Sequence, residues 1–533
     1  MNKFQRKLYA TFFVALFFII APLIILFAKG YRFDAISKVF VHSGSIIIKS
    51  TPRKIDIFVD GKKISPKRLS FINNYYIING IRPGKHNVRC QKEGYNTWQK
   101  NVAVHSGLST EFWNVLLTPL DIKKEKVSSN VKDYFFSPRS SDELVLYHSG
   151  DEGEVISLFN QKTKEERIVY QGDPEGKEKV LFRDGENVEW ASGHKKILIP
   201  ISKEGRKDYL VVSFKGLKKE SKVLSLQDIF DELLMAKSET LNTKKETKLK
   251  EGDKRKKTKV ETERKGEYEI YQARWSFGED DKLLVLTKSH QLYLLDIVDV
   301  EKSVLVDENV LGFDLAGNHL YYLKEDDGFI WDVGLGNVKK KKKVARATIE
   351  NEEGDFLKLI TYDEYRQALI TNDKLLYVFN KDAEKESEFF GKIADGINGV
   401  QFSDDGKKLL YWSDNEISVY MLRDWLVQPD RNMGEKIFIT RFSTGVANVQ
   451  WMQNFENIIF TNRHFIKIAE LDNRDKINLL TVFVNSQDLS LGKCLYNKDN
   501  FKLYISEKKS DDNSNYNLSE LQIIDEEKNL LGL

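Results

Sequence analysis

Eight histidines are candidates for chemistry, because imidazole can act both as a metal ligand and as a general base. They are spread along a chain of 533 residues, at His42, His86, His105, His148, His194, His290, His319 and His464. No two of them are four residues apart and no HExxH occurs, so the sequence predicts no metal site. The two cysteines, Cys90 and Cys494, are too few for a zinc site of the usual kind, and we expect two small buried or half-buried thiols.

Adjacent carboxylates are the other residues that could do chemistry, as an acid and a base. They lie in short polar stretches, at Asp280, Asp281, Asp326, Asp327, Asp404 and Asp405. We expect them to be turn residues, because nothing in the sequence selects two of them as a glycosidase pair. No G-x-S-x-G elbow and no glycine-rich phosphate loop occurs. The sequence therefore predicts no catalytic residue and no cofactor, and a small-molecule substrate is disfavoured. Catalysis assembled from loops distant in sequence stays open.

The stretch from Leu8 to Ala28 is uncharged and consists mainly of large apolar residues. As a helix its 21 residues would be about 31 Å long, close to the thickness of a bilayer's hydrocarbon core. Pro22 is tolerated in such a helix. The stretch predicts a transmembrane helix, with the lipid bilayer as its partner.

The orientation of this helix is not decided by charge, because three basic residues lie on either side: Lys3, Arg6 and Lys7 before it, and Lys29, Arg32 and Lys38 after it. The layout is that of a signal-anchor, with a short tail (1–7) followed by an apolar stretch and then by the rest of the chain. Phe27-Ala28-Lys29 lacks a small-x-small cleavage site, which disfavours a cleaved signal peptide. We expect a cytoplasmic N-terminus and an extracytoplasmic bulk.

The overall composition indicates a mostly folded protein and limits the classes of partner that are expected. Apolar residues make up 41% of the chain and aromatic residues 12%, which is enough for packed cores. The net charge of +3 is nearly balanced, so no nucleic-acid partner is expected.

A small β-sandwich is predicted at 44–119, where short apolar runs alternate with turn residues. Asp60-Gly61 predicts a tight hairpin turn of the primed type. The run Arg82-Pro83-Gly84-Lys85-His86, followed by Gly94-Tyr95 and Trp98, resembles the PEGA domain, although Arg-Pro-Gly-Lys replaces the name-giving Pro-Glu-Gly-Ala. The resemblance implies a β-sandwich module of bacterial and archaeal envelope proteins, without catalytic activity of its own.

From residue 131 to 533 the chain repeats itself. In eight places a residue, apolar or aromatic in all but one, is followed seven or eight positions later by the start of an apolar run. These eight residues are Phe136, Trp190, Trp275, Phe313, Thr361, Phe402, Trp451 and Leu495. A spacing of about 40 to 55 residues with several short strands per repeat is typical of a β-propeller. Eight blades are predicted. Seven are the alternative, since the copies at Thr361 and Leu495 are weak.

The clearest copy is Val400 to Ser413, in which Ser403 and Asp404 can bond the turn and Gly406 supplies positive φ. With Phe136-Ser137-Pro138 and Trp275-Ser276, it resembles the WD40-like repeats of TolB-type propellers. The fold class expected overall is mainly β, with one transmembrane helix, a PEGA-like sandwich and a propeller.

Two segments interrupt the repeat. Residues 218–267 are rich in Lys, Glu and Thr and are predicted to be disordered, apart from a helix over 225–237 with Ser225 as its N-cap. Lys339 to Lys343 are five consecutive lysines, predicted to be a solvated loop between blades. Contact with anionic lipid or wall polymer is the alternative.

These observations predict a membrane-anchored extracytoplasmic protein that binds or scaffolds an envelope protein or cell-wall glycan through its propeller. The alternative is an envelope enzyme that acts on polysaccharide or peptide at the propeller's central face.

Overall fold

The computed structural model describes residues 3–34, 38–64, 67–68, 75–150, 153–172, 178–182, 187–214, 222–234, 268–350, 352, 354–382, 384–485, 491–508 and 516–524. Helix α1 (Lys3–Ala28) contains the predicted transmembrane stretch, and the apolar part of this helix is not buried against the rest of the protein. It is long and apolar enough to cross a membrane, although a signal sequence would meet the same criteria. A short hairpin of β1 (Tyr31–Asp34) and β2 (Val39–His42) follows directly.

A sandwich of two sheets comes next. Its strands are β3 (Gly44–Thr51), β4 (Asp56–Val59), β5 (Lys62–Ile64), β6 (Lys67–Arg68), β7 (Tyr75–Ile81), β8 (Gly84–Gln91), β9 (Trp98–Val104) and β10 (Ser109–Leu116). One sheet has the order β10-β3-β7-β6 and the other β5-β4-β8-β9. The two share one apolar core around Ile48, Ile57 and Val88, because alternate residues of each strand point inward.

The predicted turn at Asp60-Gly61 is confirmed. Asp60 has φ +50° and Gly61 +77°, the left-handed backbone that a tight hairpin of this type requires. The Asp60 carboxylate accepts a hydrogen bond from Asn87 N–H (2.9 Å) and contacts His86 (2.7 Å).

Strand β11 (Lys124–Val131) then leads into a ring of eight sheets among the described residues, and we call these sheets blades 1 to 8. Blade 1 holds β12 (Asp133–Phe136), β13 (Glu143–Gly150), β14 (Gly153–Asn160) and β15 (Glu166–Gln171). Blade 2 holds β16 (Glu178–Val180), β17 (Glu189–Trp190), β18 (Lys196–Lys203), β19 (Arg206–Ser213) and β20 (Lys222–Ser225). Blade 3 holds β21 (Ile270–Trp275), β22 (Lys282–Thr287), β23 (Leu292–Asp296) and β24 (Val304–Asp307), with a 3-10 turn at Val300–Lys302.

The next three blades each have four strands in chain order. Blade 4 holds β25 (Val310–Ala316), β26 (His319–Lys324), β27 (Phe329–Gly334) and β28 (Lys341–Arg346). Blade 5 holds β29 (Lys358–Asp363), β30 (Arg366–Ile370), β31 (Leu376–Asp382) and β32 (Ser387–Ala394). Blade 6 holds β33 (Ile397–Phe402), β34 (Lys408–Ser413), β35 (Glu416–Met421) and β36 (Lys436–Arg441).

The last two blades close the ring. Blade 7 holds β37 (Val446–Trp451), β38 (Asn457–Asn462), β39 (Phe465–Glu470) and β40 (Leu479–Val484). Blade 8 holds β41 (Leu491–Asn497), β42 (Lys502–Lys508) and β43 (Tyr516–Gln522), and its outer strand is β11 from the start of the repeat. β11 pairs antiparallel with β43, so the first and last strands of the array share one blade and the ring is closed.

Eight apolar cores lie between neighbouring blades, including one between blades 8 and 1 that holds Tyr134, Leu144 and Leu518. The mainly-β fold with an eight-bladed propeller is thus confirmed, and the weak copies at Thr361 and Leu495 are blades 5 and 8. Trp190, Trp275, Phe402 and Trp451 occupy equivalent positions, each paired with the start of the strand that follows it, at Ile197, Leu283, Leu409 and Ile458.

The turn of the clearest repeat differs in one detail from the prediction. Gly406 has φ +64°, and a Cβ there would lie 2.3 Å from Tyr362 Cε1, so only glycine fits. The Ser403 hydroxyl bonds the turn by accepting from Lys408 N–H (3.0 Å). The carboxylate that bonds the turn is Asp405, from Lys407 N–H (3.1 Å), whereas that of Asp404 is held by Lys498 (2.8 Å).

Part of the charged segment is folded. Residues 226–234 form a helix, and Ser225 Oγ accepts a hydrogen bond from Asp228 N–H (3.1 Å), which confirms the predicted N-cap. Leu226, Phe230 and Leu233 are buried in the core between blades 2 and 3. The expected disorder within 218–267 falls mainly on residues 218–221 and 235–267, which lie outside the described residues.

Candidate functional site: the inner strands and the sandwich junction

Near the ring axis, polar side chains of one blade bond the backbone of the next. Glu189 Oε2 in blade 2 accepts from Trp275 N–H in blade 3 (3.1 Å), and Trp275 Nε1 donates to the Glu189 carbonyl oxygen (3.1 Å). Gln401 in blade 6 and Trp451 in blade 7 repeat both contacts at 3.0 and 3.1 Å. The tryptophans predicted as blade anchors therefore fix the spacing between blades as well as filling the cores.

Two further blade pairs use the same device. Thr361 N–H donates to Asp314 Oδ2 (2.6 Å), and Tyr496 N–H donates to Gln450 Oε1 (2.9 Å). Sequence reasoning missed these side chains. A signal was present, because Glu189, Gln401 and Gln450 each directly precede the aromatic anchor of their own blade.

A charged cluster spans blades 2, 3 and 4. Arg274 Nε lies 3.2 Å from Glu189 Oε1, and Arg274 Nη1 bonds Asp314. Burial raises the pKa of both carboxyls more than the arginine lowers it. Burial acts to lower the pKa of Arg274, but the two carboxylates raise it above its ordinary value. The cluster is thus a triad of ionisable groups whose charged forms depend on one another.

The seam between blades 8 and 1 combines an ion pair with a buried phenol. Lys493 Nζ lies 2.9 Å from Asp133 Oδ1 and 3.6 Å from the centre of the Phe135 ring. Burial lowers the pKa of Lys493, and Asp133 offsets part of that effect. Tyr134 Oη donates to the Tyr504 carbonyl oxygen (2.7 Å) and accepts from Leu495 N–H (3.1 Å).

These groups are suited to holding blades together, because their hydrogen bonds reach the neighbouring blades. Among the described residues, no group of three or more His, Cys, Asp and Glu side chains could hold a metal ion. Of the histidines, three contact single carboxylates: His86 with Asp60 (2.7 Å), His148 with Glu166 (3.1 Å) and His319 with Asp332 (2.7 Å). Cys90 and Cys494 are both fully buried, each in a different apolar core, as expected.

The second polar region is the junction between the sandwich and blade 7. Lys100 on β9 has no exposed surface, and its Nζ lies 2.6 Å from Glu470 Oε1. The same ammonium donates to three backbone carbonyl oxygens of the β39–β40 loop, those of Asp472 (2.7 Å), Arg474 (3.2 Å) and Lys476 (2.7 Å). One sandwich lysine therefore donates hydrogen bonds to three carbonyl oxygens of a single propeller loop.

Neighbouring contacts extend the junction. Trp98 Nε1 donates to Glu470 Oε2 (2.8 Å), and Asn101 N–H donates to Asp475 Oδ2 (2.9 Å). Burial raises the pKa of Glu470, while Lys100 and Trp98 act against that rise. Because the carboxylate is held by two sandwich side chains, the sandwich cannot rotate on blade 7 without unpairing a buried charge.

A second buried pair lies beside the junction in the propeller. Lys408 and Glu456 bond each other, and Lys408 Nζ also donates to the Phe455 carbonyl oxygen (3.0 Å) and lies 4.0 Å from the centre of the Trp425 ring. An open cleft of about 320 Å³ follows the junction, lined by Trp98, Phe112, Trp113, Asn114, Val115, Gln428, Pro429, Glu456, Glu470, Asp472 and Arg474.

The lysine run is more structured than predicted. Lys341 to Lys343 belong to β28, the outer strand of blade 4, rather than to a loop. Their ammonium groups lie 2.6, 2.9 and 3.2 Å from single carboxylate oxygens, those of Asp307, Glu364 and Asp327 respectively. These neighbouring carboxylates reduce the positive field of the run.

The adjacent carboxylates lie at turns, as expected. Asp280 Oδ1 accepts from Gly193 N–H (2.6 Å) of the neighbouring blade, and Asp281 bonds Lys196 of that blade. Asp327 Oδ1 accepts from Phe329 N–H (3.0 Å) within its own turn.

Comparison with known proteins identifies no family. No family model matches the chain, including one for the PEGA resemblance of residues 44–119, and no curated protein matches it. Three solved structures are similar at low identity. The β-propeller domain of Cps50 (Swd1) from Myceliophteria thermophila is 11% identical, with 74% of this chain and 99% of that chain covered and a TM-score of 0.38. The Dos1 propeller is 10% identical over 74% and 94% of the two chains, with a TM-score of 0.44.

The third is the dihydro-heme d1 dehydrogenase NirN, 10% identical over 68% of each chain, with a TM-score of 0.40. Likenesses this weak carry no argument about function. The propeller assignment rests on the strand order, the paired ends of the array and the eight cores between blades.

Proposed function

We propose that the protein is a membrane-anchored binding or scaffold protein of the cell envelope, with its N-terminus in the cytoplasm and its propeller outside. Helix α1 is the anchor, the sandwich is a rigid mount, and the propeller is the recognition head for an envelope protein or a cell-wall glycan. The PEGA resemblance of the sandwich supports the envelope location, because that family belongs to envelope proteins.

The observation that carries this proposal is the buried junction around Lys100 and Glu470. A flexible tether would not need a lysine with no exposed surface whose Nζ bonds a carboxylate and three carbonyl oxygens. A fixed mount presents the propeller to a partner in one orientation, as a scaffold requires.

The junction also distinguishes the two faces of the ring. The sandwich contacts loops that join third to fourth strands, at Gln428 and Arg474. Loops that join second to third strands, and the connections between blades, lie on the opposite face. The connection between β28 and β29 is held there, since Leu357 N–H donates to the Leu311 carbonyl oxygen (2.9 Å) and Phe356 stacks between Tyr271 (3.7 Å) and His290 (4.2 Å). We assign recognition to this open face.

The first experiment tests location. A cysteine at Val298 on the propeller, which is 72% exposed, gives a labelling site, because Cys90 and Cys494 are both buried. Val298→Cys should react with a membrane-impermeant maleimide in intact cells. Labelling that appears only after lysis would place the propeller in the cytoplasm and contradict the proposal.

The second experiment tests recognition. A photo-crosslinking amino acid at Glu352, exposed on the open face, should form adducts with one envelope protein or one wall glycan in intact cells. The control is the same amino acid at Ile168, on the outer strand of blade 1 and 57% exposed. Equal or absent adducts at both positions would count against recognition by the open face.

A second candidate function is an envelope enzyme acting on polysaccharide or peptide at the central face. The cluster of Glu189, Arg274 and Asp314 favours it, because displaced pKa values are common where acid–base chemistry occurs. Breakdown of isolated wall polysaccharide or peptide by the full-length protein, lost in Glu189→Gln with an unchanged melting temperature, would favour this candidate over the first.

A further inference from the structure

We propose that a platform formed by the hairpin β1–β2, the β9–β10 turn and the β35–β36 loop of blade 6 lies on the lipid surface, so that the propeller itself touches the membrane. The proposal rests on the membrane anchorage of α1 proposed above, and it adds a second, peripheral contact with the same bilayer. The platform is defined by six exposed apolar side chains from these three segments: Phe33, Val39, Phe40, Leu108, Leu426 and Val427.

The hairpin supplies the first three. Phe33 and Phe40 are directly opposite each other across the two strands, with ring centres 5.4 Å apart, so that both lie on the same face. They are 49% and 44% exposed, and Val39 is 51% exposed. Three large apolar side chains exposed on a two-stranded hairpin are costly in water.

The hairpin is bound tightly to the end of α1. Arg32 Nη1 donates to the Phe27 carbonyl oxygen (3.0 Å), and its guanidinium lies 3.7 Å from the centre of the Phe27 ring. Ser43 Oγ donates to the Gly30 carbonyl oxygen (2.6 Å). Because these contacts are made at the C-terminal end of α1, they hold the hairpin close to the point where the helix would leave the hydrocarbon core of the bilayer.

The β9–β10 turn lies beside the hairpin. Ser106 Oγ donates to the His42 carbonyl oxygen (2.9 Å), and Ser45 N–H donates to the Leu108 carbonyl oxygen (3.0 Å). Leu108 is 61% exposed at the tip of this turn. The end of the sandwich next to α1 therefore carries a fourth apolar side chain.

The third segment belongs to the propeller. Gln428 Nε2 donates to the Ser109 carbonyl oxygen (2.9 Å), and Gln428 Oε1 accepts from Glu111 N–H (3.0 Å). Ser109 follows Leu108 directly, so this bond holds the blade 6 loop at the helix end of the sandwich. The two residues before Gln428 are Leu426, 86% exposed, and Val427, 38% exposed.

A bilayer surface is the occupant that fits this arrangement. The six side chains come from three separate parts of the chain, and hydrogen bonds gather them at the end of the sandwich from which the membrane-capable helix leaves. Interfacial segments bury their apolar side chains roughly 5 to 10 Å into the region between head groups and acyl chains. Lys29 and Lys38 are exposed beside the hairpin, where their charge suits anionic head groups.

The proposal is tested on full-length protein in liposomes of phosphatidylcholine with phosphatidylglycerol. Single cysteines replace Phe40, Leu108 or Leu426 and are labelled with a fluorophore, because Cys90 and Cys494 are fully buried. Glu352→Cys, exposed on the open face, is the matched control. Lipids that carry a quencher near the head group should quench Phe40→Cys, Leu108→Cys and Leu426→Cys at least about twice as strongly as Glu352→Cys, since interfacial residues lie within reach of such quenchers.

Quenching of Leu426→Cys at the level of Glu352→Cys would overturn the proposal, because the propeller would then stand clear of the lipid. The proposal would also be overturned if the three labels were not quenched by lipid in liposomes but were protected from aqueous iodide in detergent. That result would assign the platform to contact with a second copy of the chain. Failure of the protein to float with liposomes would instead contradict the anchorage of α1, so the two proposals can fail separately.

Discussion

Neighbouring blades meet mainly through buried aliphatic and aromatic side chains, whereas the sandwich meets blade 7 through buried ions. The core between blades 3 and 4, for example, is built from residues such as Leu284, Phe313 and Leu320. At the junction, Lys100 and Glu470 lie among backbone carbonyl oxygens instead. Apolar contact is non-directional and grows with area, so it tolerates eight different blade pairs.

A buried ion pair behaves differently. It adds little net stability over an apolar pair of the same size, but breaking it leaves an uncompensated buried charge. The junction therefore selects one orientation of the sandwich, while the blade interfaces supply most of the stability. The four predictions below test this difference, from the largest expected effect to the smallest.

Removing the closing strand should destabilise the whole propeller. Truncation after Lys508 deletes β43, so that β11 loses its partner strand and β42 keeps only β41. We expect all blades to melt together at a lower temperature, because every core between blades depends on the closed ring. Melting followed by tryptophan fluorescence measures this, since Trp275 in blade 3 lies far from the deletion. Unfolding confined to blade 8, with the other blades unchanged, would contradict it.

Removing the junction cation should cost several kcal/mol. Lys100→Met leaves Glu470 buried and unpaired and three carbonyl oxygens without a donor, and we expect a loss of about 3 to 5 kcal/mol in the free energy of unfolding. Denaturant titration measures it.

The matched control for this junction variant is Lys63→Met. Lys63 pairs with Asp56 at the sandwich surface, where both side chains are at least half exposed, and its loss should cost less than about 1 kcal/mol. The double variant Lys100→Met/Glu470→Met should recover only the part of the loss that comes from the unpaired Glu470 charge, because the three carbonyl oxygens and Trp98 Nε1 still lack these partners. An equal cost for Lys100→Met and Lys63→Met would remove the distinction between the two kinds of interface.

A single buried hydroxyl tests the polar part of the closing seam. Tyr134→Phe leaves the Tyr504 carbonyl oxygen and Leu495 N–H without this partner, and we expect a loss of about 1 to 3 kcal/mol. Tyr496→Phe is the control, because the buried Tyr496 hydroxyl has no hydrogen-bond partner among the residues that the structure describes, and its removal should be nearly neutral. Thermal melts of both variants measure this difference, and equal losses would contradict it.

The ion pairs between blades 3 and 4 should give a small dependence on pH. Burial acts to raise the pKa of Asp307, but hydrogen bonds from Lys341 and Tyr322 lower it to about 2, from an ordinary value of 3.8. A lowered pKa stabilises the fold above pH 3.8, and this contribution is lost as the pH falls towards 2. Asp307→Asn should remove about 1 to 2 kcal/mol of stability at pH 7 but little at pH 2. A difference between the two proteins that does not change with pH would contradict it.

The periodic features of the fold could be predicted because each is encoded within a few residues. The eight repeats follow from aromatic and aliphatic spacing, since every strand alternates inward and outward side chains. The turn at Asp60-Gly61 and the N-cap at Ser225 are likewise local, because each depends on one residue type at one backbone position. The prediction that the lysine run is a loop was wrong for Lys341 to Lys343, which lie in the outer strand of blade 4. The composition of the run indicated a loop, but the blade requires a fourth strand at that place.

The sequence by itself determined the apolar helix, the alternating strands and the repeating pattern of the blades, because these depend on short-range patterns of hydrophobicity. The tertiary structure decided between eight blades and seven. Only the tertiary structure decided which polar residues became buried partners. Trp98 and Glu470 are 372 positions apart, and nothing near Lys100 distinguishes it from the many solvated lysines of the chain. The same holds for the proposed platform, because the segments that carry Phe40, Leu108 and Leu426 are brought together by hydrogen bonds from Ser106 and Gln428. The partners of a buried ion, and the segments of a composite surface, are far apart in sequence and become neighbours only in the folded chain. Local sequence patterns therefore do not predict them.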